Sequence, residues 1–131
     1  MMGEGQLQSQ RSDERIRRVI REGDYASLVS FAEELGKTLV EQRLTTSQIR
    51  TVFGRVKQLQ MRFDANRLRM LKPKLAYMAA RAGQGGRTLQ QVLSAAVDEV
   101  FAGNDHGERF RRMADFFEGI LAYHKAYGGR D

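Results

Sequence analysis

Chemistry at a protein site begins with a nucleophile, a base or a metal ligand, and this chain offers few of them. It has no cysteine, which excludes a thiolate nucleophile, a thiolate metal site and a disulfide framework, and permits a reducing compartment. The two histidines are His106 and His124, and the seven acids after residue 90 form none of the spacings that metal ligation or acid–base catalysis needs. His124 falls in line with Phe117 and Leu121, which reads as a packed or interfacial histidine. His106 falls at an expected helix start, a surface position without two further ligands nearby. No metal, cofactor or catalytic residue is expected.

The run Gly83-Gln84-Gly85-Gly86-Arg87-Thr88 invites comparison with a phosphate-binding loop, since glycines, a cation and a threonine precede a helical pattern. The comparison fails. The first glycine of that motif would fall on Arg81, its lysine on Arg87, and no strand precedes it. The run reads better as a mobile connection between helices, with Arg87 beside a helix start where it could touch a phosphate of a larger ligand.

The strongest chemical signal is charge. Residues 42–81 hold ten Lys/Arg and one acid, Asp64, whereas the segments on either side are each slightly acidic within a chain of net charge +6. Charge concentrated in this way attracts a polyanion and retains it by releasing counterions; the bland alternative is a solvated helix face. At about 100° per residue, Arg67, Lys74 and Arg81 fall on nearly the same side, with Tyr77 beside them and clear of Leu68, Leu71 and Leu75. Arg50 and Lys57 repeat that spacing one helix earlier, and Arg55 and Arg87 add charge. Two such stripes on consecutive helices would line one surface, with Tyr77 as a stacking plane for an unpaired base. An acidic membrane is the weaker partner, because the apolar residues are needed for the chain's own core.

The elements that must carry these side chains all read as helices. Proline occurs once and β-branched runs are few, against many Ala, Leu, Arg, Gln and Glu. The expected fold class is all-α, a compact bundle of five to six helices with short connections, as one domain over 12–131 after a disordered start at 1–11. A weak first helix covers 12–22. Asp24 caps the next, to about Val40, with Leu28, Phe31, Ala32, Leu35 and Leu39 inward. Thr45 and Gln48 stand at capping-box spacing ahead of Ile49, Val52, Phe53, Val56, Leu59 and Phe63. One segment over 66–82 follows, distorted locally at Pro73, then a loop at 83–86, a helix from Thr88 to about Phe101, and a last helix from His106 to Tyr127. The start lacks a signal peptide's apolar centre and no stretch of about 18 apolar residues occurs, so the expected setting is cytoplasmic.

Three strings add what periodicity cannot. Thr45-Thr46-Ser47-Gln48-Ile49-Arg50, Leu71-Lys72-Pro73-Lys74-Leu75-Ala76-Tyr77 continuing to Arg81, and Phe116-Phe117-Glu118-Gly119-Ile120-Leu121-Ala122-Tyr123-His124-Lys125 resemble, in order and spacing, the small subunit of type III-A CRISPR effector complexes, the Csm2 family. The likeness covers about residues 25 to 129. It implies a non-catalytic helical protein whose copies stack as a short filament beside the subunits that hold the guide RNA, and which helps to hold the target RNA. Its implied partners are guide RNA, target RNA, further copies of itself and the backbone and large subunits, with no membrane. The family's polar signature falls on Gln48, Arg50, Lys72, Lys74, Arg81 and Lys125, implied RNA-contacting or interface positions, whereas Arg55, Lys57, Arg67, Tyr77 and Arg87 rest on geometry and charge. A scaffold acting through protein contacts, and a stand-alone nucleic-acid-binding protein, are the alternatives.

Overall fold

The computed structural model describes the backbone of residues 4–131 and the side chains from Ser12 onward; of the start expected to be disordered, residues 1–3 lie outside the described residues and 4–11 lie within the first helix. Among these are six helices and no strand: α1 Glu4–Ile20, α2 Tyr25–Glu41, α3 Thr46–Met61, α4 Ala65–Arg69, α5 Leu71–Phe101 and α6 His106–Ala126. The all-α bundle expected from the sequence is what forms. No described helix is long and apolar enough to cross a membrane.

Helix starts follow their caps. The Asp24 side chain accepts from Ser27 N at the head of α2, and Thr45 with Gln48 forms a complete capping box at the head of α3. Between these caps the apolar stripes converge on α6, which packs against α1, α2, α3 and α5. Leu28, Phe31, Ala32, Leu35 and Leu39 of α2 meet Phe116, Phe117 and Ile120, with the Phe31 and Phe116 rings 5.2 Å apart. Gly36 permits that approach, because a Cβ there would lie 2.8 Å from the backbone nitrogen of His124. Phe53 stacks on Phe117 and fastens α3 to the same helix. Phe63 departs from the expected stripe: α3 ends at Met61, and Phe63 sits half-exposed beyond it against Phe110.

The first helix is firmer than its charge implies. Ile16, Val19 and Ile20 are all but fully buried, each worth about 1.5–3 kcal/mol of transfer free energy. Arg112 donates from α6 to the carbonyls of Ile20 and Arg21, satisfying the end of α1, and Arg21 pairs with Glu99 of α5.

The segment around Pro73 differs from the expected single distorted helix. α4 is a separate short turn capped by Asp64, whose carboxylate accepts from Asn66 N and Arg67 N, and α5 starts afresh at Leu71 after Met70. Pro73 explains the break. It has no N–H to give the Arg69 carbonyl four residues earlier, whereas within the first turn of α5 that missing donor costs nothing.

The expected loop at 83–86 is also corrected. Only Gly83 leaves helical geometry, at φ 68° and ψ −150°, a conformation essentially reserved for glycine. The chain folds there so sharply that a Cβ on Gly86 would lie 3.0 Å from Cα of Ala79. Gly85 and Gly86 are buried packing residues rather than a mobile connection, Gly85 lying against Leu44. α5 is thus a hairpin of two helical halves, 71–82 and 84–101.

Candidate nucleic-acid interface

The corner made by the end of α3, α4 and the start of α5 encloses a cleft of about 600 Å³ lined by Arg55, Gln58, Leu59, Arg62, Asp64, Arg67, Met70, Leu71 and Lys74. Local structure places each cation. Arg55 and Arg62 stand seven residues apart and project from one flank of α3, the latter from its C-cap position. Arg67 lies on α4 and Lys74 just inside α5, and the turn at Met70 brings both to the opposite wall. Four cations therefore face one carboxylate. One oxygen of Asp64 is occupied in capping α4, and the other lies 3.9 Å from Arg67 Nε, leaving the cleft strongly positive.

The other expected site residues fall into different settings. Tyr77, one turn beyond Lys74, is 66% exposed, and Arg81 donates to its hydroxyl at 2.9 Å with the guanidinium 5.6 Å from the ring centre. Arg50 and Lys57 project from the flank of α3 away from Arg55 and Arg62, so the two expected stripes do not form one surface; Lys57 lies 5.5 Å from the Phe53 ring on the side of α6. Lys72 is paired with Asp98 across the α5 hairpin at 2.6 Å. Gln48 is a capping residue, its side-chain carbonyl accepting from Thr45 N at 3.0 Å. Lys125 lies 3.7 Å from Asp131 at the end of α6, and Arg87 is exposed on the second half of α5; neither lines the cleft.

Arg62 is the cleft residue that the helical stripes missed. The available signal was its heptad spacing from Arg55, but it sits where the α3 pattern stops, and its projection depends on the extended C-cap conformation. His124 has the packed role expected of it. Fully buried, its Nε2 donates to the Leu44 carbonyl at 2.6 Å, which leaves Nδ1 to face the Thr46 hydroxyl at 3.5 Å. His106 packs edge-on against Phe101. Among the described residues no group of three His, Cys, Asp or Glu side chains is placed to hold a metal.

The cleft is positive; comparison with known families supplies the setting. The family model described as Csm2 Type III-A matches residues 22–130 of the 131. The chain belongs to the Csm2 family. Csm2 proteins are the small, non-catalytic subunits of type III-A CRISPR complexes, so this Csm2 chain works as one component of a multi-subunit assembly. The match spans the three strings identified in the sequence and all four cations of the cleft. Comparison with curated proteins and with solved structures finds no match.

Proposed function

We propose that this Csm2 chain holds the RNA of a type III-A complex through the cleft of Arg55, Arg62, Arg67 and Lys74, with Tyr77 and Arg81 extending the contact along α5. The observation that carries this reading is the convergence of four cations from three helices around one carboxylate already engaged in a helix cap. Base pairing between guide and target discriminates sequence, so a subunit beside that pairing needs only to recognise backbone charge and shape. Arginine and lysine without a base-reading motif suit that task. Each copy contributes few phosphate contacts; copies stacked in a short filament bind as one longer groove, each raising the effective concentration seen by the next. Exposed Tyr25 and Val29 on α2 and Met61 at the end of α3 leave apolar surface available to neighbouring subunits.

The test is a reconstituted complex carrying Arg55→Glu, Arg62→Glu and Lys74→Glu together in every copy. Normal assembly with weakened target-RNA binding is expected. Failed assembly, with RNA binding spared in whatever complex forms, would instead establish the chain as a scaffold that acts through protein contacts.

A further inference from the structure

One residue of α3 is not accounted for by the fold itself. Gly54 stands in the middle of that helix with helical backbone geometry, lies exposed, and a Cβ built on it would meet nothing within 4 Å. Glycine is among the least favourable residues in a helix interior, and here no turn, close approach or packing contact within the chain requires it. Arg50 and Lys57 stand one turn to either side, and all three fall within about 60° of one another around the helix. No carboxylate among the described residues pairs with Arg50 or Lys57. This face is a shallow notch between two cations set about 10.5 Å apart along the helix, at about 1.5 Å per residue.

The outer face of α2 has the opposite character. Tyr25, Val29 and Glu33 lie on successive turns within about 80° of one another, and Tyr25 and Val29 are 44% and 48% exposed. Tyr25 donates its hydroxyl to Asp115 at 2.5 Å and Tyr127 donates to Glu33 at 2.9 Å, so two carboxylates are held in place with Val29 between them. A hydroxyl donor leaves both carboxylates charged. The nearby Arg111 is engaged by Glu108, and Arg112 by Glu108 and the carbonyls of Ile20 and Arg21. Tyr25 to Glu33 spans about 12 Å along α2. Acid, exposed apolar side chain and acid thus match cation, notch and cation in order and in length.

We infer that these two faces dock on each other between copies of the chain: Val29 of one copy enters the notch at Gly54 of the next, and Asp115 and Glu33 meet its Arg50 and Lys57. A missing Cβ lets the valine approach the α3 backbone, which accounts for the glycine. α2 and α3 pack on different sides of α6, so one copy uses both faces at once and the contact is heterologous, continuing rather than closing. This rests on the stacking of copies proposed above, names the surfaces that meet, and uses none of the four cleft cations.

The chain has no cysteine, so disulfide trapping tests the contact in the full-length protein. With Val29→Cys and Gly54→Cys together, and oxidised glutathione as the oxidant, a ladder of linked dimers, trimers and longer species should form. An equimolar mixture of the two single variants should stop at dimers, and each single variant alone should remain largely monomeric. Adding Arg50→Glu and Lys57→Glu to the double variant should cut the trapped fraction at least about tenfold. Gly54→Ala in the wild-type chain should raise the melting temperature by a few degrees, because the helix gains and no contact within the chain is lost. All these positions are exposed, and circular dichroism verifies that the variants are folded. No ladder, a single variant that dimerises as well as the mixture, trapping that ignores charge reversal, or a lowered melting temperature for Gly54→Ala would each overturn the inference. Copy number in a reconstituted complex bound to target RNA separates the two proposals. Several copies retained with Arg50→Glu and Lys57→Glu would overturn these faces alone, whereas a single copy in the wild-type complex would overturn stacking itself.

Discussion

The Lys72 ammonium lies 2.6 Å from the Asp98 carboxylate although 26 residues separate the two. In an unbroken helix they would stand roughly 39 Å apart at about 1.5 Å per residue. The two halves of α5 therefore run back along each other, and the Arg69 guanidinium 4.2 Å from the Phe101 ring closes the same end. The hairpin holds the start of α5, and Lys74 with it, against α3.

That geometry makes Gly83 a site of high cost. Its φ of 68° and ψ of −150° admit a side chain only under strain, so Gly83→Ala should lower stability by about 1–3 kcal/mol in urea unfolding. A loss of a few tenths of a kcal/mol or less would show that the turn does not depend on glycine.

Lys72 belongs to the family's polar signature, but its ion pair gives it a structural task. Both side chains are substantially exposed, so Lys72→Ala should change stability by no more than about 1 kcal/mol. RNA affinity should fall less than for Arg62→Gln under identical conditions. A larger loss for Lys72→Ala would place Lys72, rather than Arg62, at the RNA.

His124 provides a contrast between structural and chemical roles. His124→Ala should destabilise the fold by on the order of 2–4 kcal/mol, since it opens a cavity and leaves the buried Leu44 carbonyl without its donor. Purified complex carrying a folded, destabilised His124 variant should keep its RNA affinity when measured well below the melting temperature. Loss of affinity without loss of stability would contradict the packing role.

Stability at acid pH should depend in part on Asp24. The Ser27 hydroxyl, followed by the Ser27 backbone N–H, donates to its carboxylate and holds its pKa below the ordinary carboxylate value. A lowered pKa gives stability that is present above the unfolded value of 3.8 and is lost as pH falls through the folded one. The stability difference between wild type and Asp24→Asn, followed by urea unfolding from about pH 5 downward, should therefore shift against wild type as pH falls. A difference independent of pH would contradict this.

Much of this architecture was legible in the sequence because short-range rules governed it. Asp24, Thr45 and Gln48 mark their helix starts with side-chain hydrogen bonds that span three residues, and the stripes of α2 and α6 follow from a single period. What was not legible depended on contacts between distant segments. Gly83 to Gly86 has the composition of a loop, and only packing of Gly85 on Leu44 and of Gly86 on Ala79 makes it a one-residue fold. The same holds for the site: Arg67, Lys74, Tyr77 and Arg81 were visible as one stripe, but their partners across the cleft are Arg55 and Arg62. Arg50 and Lys57 share the charge and the spacing yet leave the opposite flank of α3, because the position of Leu59 and Val56 in the core turns that flank toward α6.

The central claim is that cleft cations carry RNA binding, and the salt dependence of affinity tests it most directly. For a single-stranded RNA, each phosphate contact contributes about 0.7 to the slope of log affinity against log salt. Replacing Arg55, Arg62 and Lys74 by Gln in a folded chain should reduce the magnitude of that slope by about 2, together with a clear loss of affinity at low salt. An unchanged slope and affinity in the triple variant would contradict the account.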